Sequence, residues 1–259
     1  MLRRALLSVA VFAPFAAMSA FAGEELVEGG AAEVREAVDG DTVILADGRE
    51  IRLVGLQAPK LALGRKSFKD WPLAEESKRA VASLTLGQRV TLRHGGTSRD
   101  RHGRTLAHLH RADGLWIQGE MLKLGMARVY TFPDNRARAA EMYALEAEAR
   151  AARRGIWAHS FYAVRAPDGL KRDLDTFQIV AGTVMDAAAV KNTVYLNFGP
   201  DWRTDFTIRL DSAALKLFRA AKLDPLALKG QTVEVRGWVR FKDGPMIDAS
   251  HPEQFTPRP

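Results

Sequence analysis

The chain has no cysteine, and that absence removes a disulfide framework, a thiolate metal site and a cysteine nucleophile together. Stability has to come from burial and polar pairing instead. Past Met18 there is also no run long and apolar enough to cross a bilayer. Acids are in the minority, 31 Asp and Glu against 38 Lys and Arg, for a formal charge of +7. An excess of this size suits a polyanionic partner and is also met in proteins that bind none. With 47% hydrophobic residues, the 259-residue chain has material for one large or two small cores.

What is present begins with a leader pattern. Arg3 and Arg4 precede an apolar stretch from Ala5 to Met18 that is interrupted by Pro14, and Ala20-Phe21-Ala22 has the small-x-small form of a cleavage site. The expectation is a signal peptide over residues 1–22, cut after Ala22, and a periplasmic or secreted mature protein.

Most of the polar chemistry lies between Val38 and Lys60. Asp39-Gly40-Asp41-Thr42 leads into an alternating strand Thr42–Leu45, the turn Ala46-Asp47-Gly48-Arg49 and a returning strand Glu50–Val54. An Asp-Gly turn between alternating apolar runs predicts an antiparallel hairpin. Arg52 then faces back toward Asp39 and Asp41. One cation and two anions on a rigid hairpin fit a phosphate or metal-phosphate site, and they fit a surface salt-bridge cluster as well.

Three motifs in order, Asp39-Gly40-Asp41-Thr42, then Arg52-Leu53-x-Gly55-x-x-Ala58-Pro59, then Asp100-Arg101-His102-Gly103-Arg104, resemble the thermonuclease (staphylococcal nuclease-like) family over about Ala32–Trp157. The resemblance implies a five-stranded OB barrel with helices and calcium-dependent hydrolysis of DNA and RNA phosphodiesters. It implies that Asp41 is a calcium ligand with Asp39 an acid beside it, and that Arg52 and Arg104 bind the phosphate and stabilise the transition state. It also makes His102, where the family usually has tyrosine, and Tyr130 candidates for touching substrate. The chain departs from the family at Gln57-Ala58-Pro59-Lys60, where D-[AT]-P-E is usual. One carboxylate ligand has become an amide, and the general-base glutamate has become a lysine.

Along the rest of the first half, Leu73–Leu84 has helical spacing, with Pro72 near its start and Gly87 past its end. The loop Leu61–Trp71 before it carries Arg65, Lys66 and Lys69 beside the motif residues. Val90–Arg93 and Arg104–His110 alternate as strands. His108 and His110 share a strand face; side chains two apart can converge on a metal, but no cysteine or acid obviously joins them, so packing on the barrel is the preferred reading. Leu115–Leu124 is a short helix and Met126–Phe132 an extended piece. Asn135–Arg154 is a long helix capped by Asn135, with its arginines on a solvated face.

A connector with Pro167, Asp168 and Gly169 divides a first domain, 23–160, from a linker, 161–175, and a second domain, 176–259. The second domain repeats the order three strands, helix, two strands. Gly87-Gln88-Arg89-Val90-Thr91-Leu92-Arg93 and Gly230-Gln231-Thr232-Val233-Glu234-Val235-Arg236 are nearly one phrase. The expected fold is therefore a β-barrel with helices (α+β), as two OB-like barrels in tandem. The second barrel lacks all three motifs. Its possible surface contacts are Trp202, Arg203, Tyr195, Phe206, Trp238 and Arg240; most of these aromatics are expected in the core, and Trp202 beside Arg203 is the only pair expected to be displayed.

Three functional readings follow. In the favoured one, Lys60 sits against Asp39 and Asp41 in the role of the missing cation, and the pocket holds DNA or RNA phosphates through Lys60, Arg52 and Arg104 with calcium-dependent cleavage impaired. In the second, the site is rearranged and the protein is an active metal-dependent phosphodiesterase. In the third, the two barrels form an envelope protein- or glycan-binding module.

Overall fold

A computed structural model describes residues 26–257; the leader expected over residues 1–22 lies outside them. In chain order the first half runs β1 (Val27–Asp39), β2 (Thr42–Leu45), β3 (Glu50–Leu53), β4 (Gly55–Gln57) and α1 (Ala74–Thr85). It continues through β5 (Arg89–His94), β6 (Thr105–Arg111), α2 (Ile117–Lys123), β7 (Arg128–Tyr130) and α3 (Ala139–Ala151).

The long strand β1 closes the barrel because it serves two neighbours. Its first half pairs with β5 and its second half with β2. β3 then runs parallel to β6, giving the closed circuit β1-β2-β3-β6-β5 of an OB-type barrel. Alternation fills the interior: Val43 and Leu45, Ile51 and Leu53, Val90 and Leu92, and Ala107 and Leu109 are all fully buried. Val81 of α1, Met121 of α2 and Met142 of α3 close the remaining sides of this core. β4 leaves the barrel at Gly55, whose left-handed φ of 82° is open to glycine and whose absent Cβ makes room for Met142.

The second half contains β8 (Phe177–Thr183), β9 (Asp186–Val190), β10 (Thr193–Asn197), β11 (Thr207–Leu210), α4 (Ser212–Ala220), β12 (Thr232–Phe241), β13 (Pro245–Asp248) and β14 (Phe255–Pro257). β12 pairs with β8 and β13, β13 runs parallel to β11, and β10 joins β11 to β9. β8 and β9 are separated only by Val184 and Met185, so together they act as one bent strand serving two neighbours, as β1 does. The repeated phrase has a structural basis at this bend. Gly87 donates to the carbonyl of Val34 and Val34 to that of Gln88; Gly230 donates to Val184 and Val184 to Gln231, all within 3.0 Å. Both glycines have positive φ.

Several elements differ from expectation. The long helix starts at Ala139, not Asn135, because Asn135 is bridged to Gly96 and its amide donates to the Thr97 carbonyl at 3.0 Å. β9, an alanine-rich strand without alternation, carried no periodic signal. The tail after His251, which carried no strand signal, is packed, with His251 and Glu253 buried and β14 paired to β12.

The arginines expected on the long helix are only partly on a solvated face. Arg150 forks onto both oxygens of Glu234 at 2.8 and 2.9 Å, and Arg136 reaches Glu253 at 3.1 Å. Buried Glu146 on the same helix receives Arg236 from β12 at 2.8 and 3.0 Å. These pairs join the two barrels.

Candidate functional site

The hairpin forms in the expected register, with Thr42 opposite Arg52. Gly40 lets it close: a Cβ there would lie 1.9 Å from the Ser77 hydroxyl and 2.7 Å from the Ala58 methyl. This approach seats Asp41 in the barrel wall with no solvent exposure.

Asp41 is saturated with donors. The Lys60 ammonium lies 2.7 Å from each of its carboxylate oxygens, Arg52 Nη1 lies 3.0 Å from Oδ1, and the Ala58 N–H donates to Oδ2 at 2.7 Å. Burial pushes its pKa upward, but Arg52, Lys60 and the Ala58 amide overcome that and hold it at about 2. Asp39 is the weaker partner, 3.4 Å from Lys60. Its burial, joined by repulsion from Asp41, outweighs the pull of Lys60 and Arg52 and raises its pKa. Arg52 is anchored as well, donating to the carbonyls of Asp41, Leu53 and Leu56.

The second arginine is aimed by its own motif. Asp100 accepts the backbone N–H groups of His102 at 2.8 Å and Arg104 at 3.0 Å through one oxygen, and Arg104 Nε at 2.8 Å through the other. Gly103 supplies the positive φ this turn needs. The Asp-x-x-Gly-Arg spacing is thus a carboxylate-stapled hairpin that holds a guanidinium fork at the rim.

Both arginines, Lys60, Asp39, His102 and Tyr130 line one open cleft of about 930 Å³, whose wall carries seven Lys and Arg against three aspartates. Guanidinium forks and an ammonium on such a wall suit phosphate oxygens. His102 is exposed and accepts from Arg101 Nε at 3.1 Å. Tyr130 is half-buried with its ring against Phe132 and Phe177. Among the described residues, every site residue named from the sequence therefore falls in or directly behind one cleft.

The residues present do not fit calcium. That ion takes six to eight oxygen ligands, yet both oxygens of Asp41 are engaged by cations and the Ala58 amide. The Gln57 carbonyl is turned away to accept from buried Arg128 Nε at 2.8 Å. Among the described residues no group of three His, Cys, Asp or Glu converges as a metal site. His108 and His110 pack instead beside Trp116, with ring centroids 5.7 and 6.3 Å away.

Sequence reasoning missed two features. The Gln57–Arg128 bond joins positions 71 residues apart and has no local signal. The second barrel's share of the cleft was also missed: Trp238 and Arg240 line it together with the first barrel. Trp202 is exposed as expected, but Trp238 is also displayed. The spacing of Trp238 and Arg240, two apart on one strand, was the available signal.

An OB-type barrel with an acid-seated lysine and two fixed arginines at one mouth defines the class, a barrel with a cation-lined cleft. The family model described as staphylococcal nuclease homologue matches residues 50–159. An "Uncharacterized endonuclease" of Escherichia coli O157:H7 is 32% identical over 130 residues, covering 46% of this chain and 72% of that protein. "Probable staphylococcal-like nuclease CAN1" of Oryza sativa subsp. japonica is 33% identical over 117 residues, 45% of this chain. The match spans only 31% of the rice protein's length. The "Thermonuclease" of Staphylococcus intermedius is 29% identical over 105 residues, 39% of this chain and 61% of that protein. The chain belongs to the staphylococcal nuclease homologue family.

Proposed function

We propose that this protein is an exported nucleic-acid-binding member of its family that holds DNA or RNA phosphodiesters through Arg52, Arg104 and Lys60 and does not cleave them with calcium. The observation that carries this reading is the Lys60 ammonium, 2.7 Å from both oxygens of Asp41. A fixed positive charge there answers the aspartates without a divalent ion. Family membership supports a nucleic-acid substrate, and the leader pattern supports export. Loss of the usual base follows from chemistry: an ammonium paired to carboxylates has no lone pair to take a proton from water.

The alternative is an active nuclease. It is favoured by the retention of both arginines, since a donor aimed at a transition-state phosphate contributes on the order of 3 kcal/mol.

One experiment separates the two. Single-stranded DNA and RNA are offered to the mature protein with calcium, magnesium or chelator, beside Arg104→Ala and Lys60→Glu. The expected result is binding that weakens steeply with salt, no metal-dependent cleavage by the native protein, and metal-dependent cleavage gained by Lys60→Glu. Metal-dependent cleavage by the native protein that Arg104→Ala abolishes would overturn the proposal in favour of the nuclease. Binding indifferent to salt would move the function to a neutral glycan or a protein partner.

A further inference from the structure

The cleft has a wall that the first barrel does not supply. β12 of the second barrel carries Trp238 and Arg240 on one strand face, and both line the cleft that contains Arg52, Arg104 and Lys60. Trp238 is 37% exposed and Phe132, across from it on the first barrel, is 43% exposed. Tyr130 stands between them. Its ring lies 4.7 Å from that of Phe132, and its hydroxyl accepts from Trp238 Nε1 at 3.0 Å. The Phe177 and Trp238 rings meet edge to face with centroids 6.3 Å apart, and the Arg240 guanidinium lies 5.5 Å from the indole centroid. A second recess, of about 240 Å³, shares Tyr130, Phe132, Trp238 and Arg240 with the main cleft. The aromatic residues therefore form a ridge between a basic cleft and a smaller recess.

A large exposed ring held by a hydrogen bond on one edge and an aromatic contact on another loses little freedom when a flat partner stacks on it. Its neighbours point to the partner. The cleft is rich in cations, and the ion pair that Arg240 makes among the described residues is to exposed Asp175, a contact worth little in water. Flat, aromatic and tethered to phosphates describes a nucleobase in a single strand.

We propose that Trp238 and Arg240 of the second barrel form a base-stacking subsite, so that a single-stranded oligonucleotide runs from the arginines of the first barrel across the ridge onto the second. This rests on the phosphate-binding reading of the first barrel. Trp238 stacks one base, and Arg240 adds its charge beside the adjoining phosphate. The second barrel thus sets a preference for unpaired strands, whose bases are free to stack.

The test is fluorescence anisotropy of a labelled oligothymidylate at low salt, with a matched oligomer containing abasic sites. Native protein is compared with Trp238→Ala, Trp238→Phe, Arg240→Ala and Arg104→Ala, each first checked for a native melting transition. Trp238→Ala is expected to weaken binding of the base-bearing strand roughly tenfold. Trp238→Phe is expected to stay within about threefold of native, because the stacking face is kept while the bond to Tyr130 is lost. On the abasic strand Trp238→Ala should match native protein, and Arg240→Ala should weaken both strands and lower the salt slope. Native affinity in Trp238→Ala, with binding lost in Arg104→Ala, would overturn the stacking subsite and leave the first-barrel reading intact. Equal losses by Trp238→Ala on both strands would also overturn it, by making Trp238 a structural support. Failure of native protein to bind either strand would overturn both readings.

Discussion

Lys60 places one positive charge against two carboxylates that differ in what they need from it. Asp41 also has Arg52 and the Ala58 amide, so two donors remain on it when the ammonium is removed. Asp39 already carries a raised pKa and depends more on the ammonium. In Lys60→Met, Asp39 should therefore titrate higher still. A carboxyl whose folded pKa exceeds its unfolded value costs stability above the folded pKa, and that cost disappears as falling pH protonates it. The Lys60→Met protein should be less stable than native by roughly 2 kcal/mol at pH 7, a discounted value for a lysine still a quarter exposed. The gap should narrow toward pH 4. Thermal melts of both proteins across that range check this; a gap that does not change with pH would reduce Lys60 to a packing residue. Lys60 could be singled out because it replaces an expected acid within a contiguous motif. Gln57 could be flagged as a departure, but its bond to Arg128 could not be read, since nothing local ties position 57 to position 128.

At the level of elements, β12 and α3 are connected by charges that water does not reach. Arg236 and Glu146 are both buried, and Glu146 also accepts the Val129 N–H at 2.6 Å. Removing one partner leaves the other buried charge with a longer contact, Glu234 at 3.5 Å from Arg236 or Arg150 at 3.8 Å from Glu146, at a cost of up to about 3–5 kcal/mol, whereas replacing both by apolar groups of similar shape is often close to neutral. Arg236→Met should lower the melting temperature strongly, and Arg236→Met with Glu146→Leu should recover part of the loss. Calorimetry of the native, single and double variants measures the coupling; additive losses would show that the two charges act independently. The strands themselves were legible because alternation is local: β2 has its expected limits, Thr42–Leu45, and β2 and β3 lie on either side of the Asp47-Gly48 turn. The interface was not legible. A charged residue on a helix reads as solvent-facing unless its partner is known, and the partners of Glu146 and Arg150 lie on β12, far along the chain. The beginning of α3 escaped for a related reason, since Asn135 spends its amide on Thr97.

Across the whole molecule, three buried histidines held below their ordinary pKa, His108, His110 and His251, link stability to pH, and the first and last of them differ in what they join. His108 is in the wall of the first barrel, where burial, then the charge of Arg138, depresses its pKa to about 3. His251 is in the second half, and its Nε2 shares a hydrogen bond of 2.8 Å with the hydroxyl of Thr131 in the first. Burial, then Arg136, brings it to about 3 despite the opposing pull of Asp134. In the unfolded chain all three rings take up protons near their ordinary pKa of about 6.5, so below that pH the unfolded state binds more protons than the folded one. Their contribution is complete above pH 6.5 and shrinks continuously as pH falls toward 3, by at most about 1.4 kcal/mol per histidine for each pH unit. Because His251 joins the two halves while His108 does not, the two losses separate by variant. His108→Gln should flatten the acid limb of the stability curve and leave one joint transition. His251→Gln should flatten it as well, but it should also weaken the Thr131 contact and allow the halves to melt apart at pH 5. Urea titrations from pH 7.5 to 4.5, read by calorimetry and tryptophan fluorescence together, test this. A native stability that does not change across that range would show that none of these rings is held neutral by its burial.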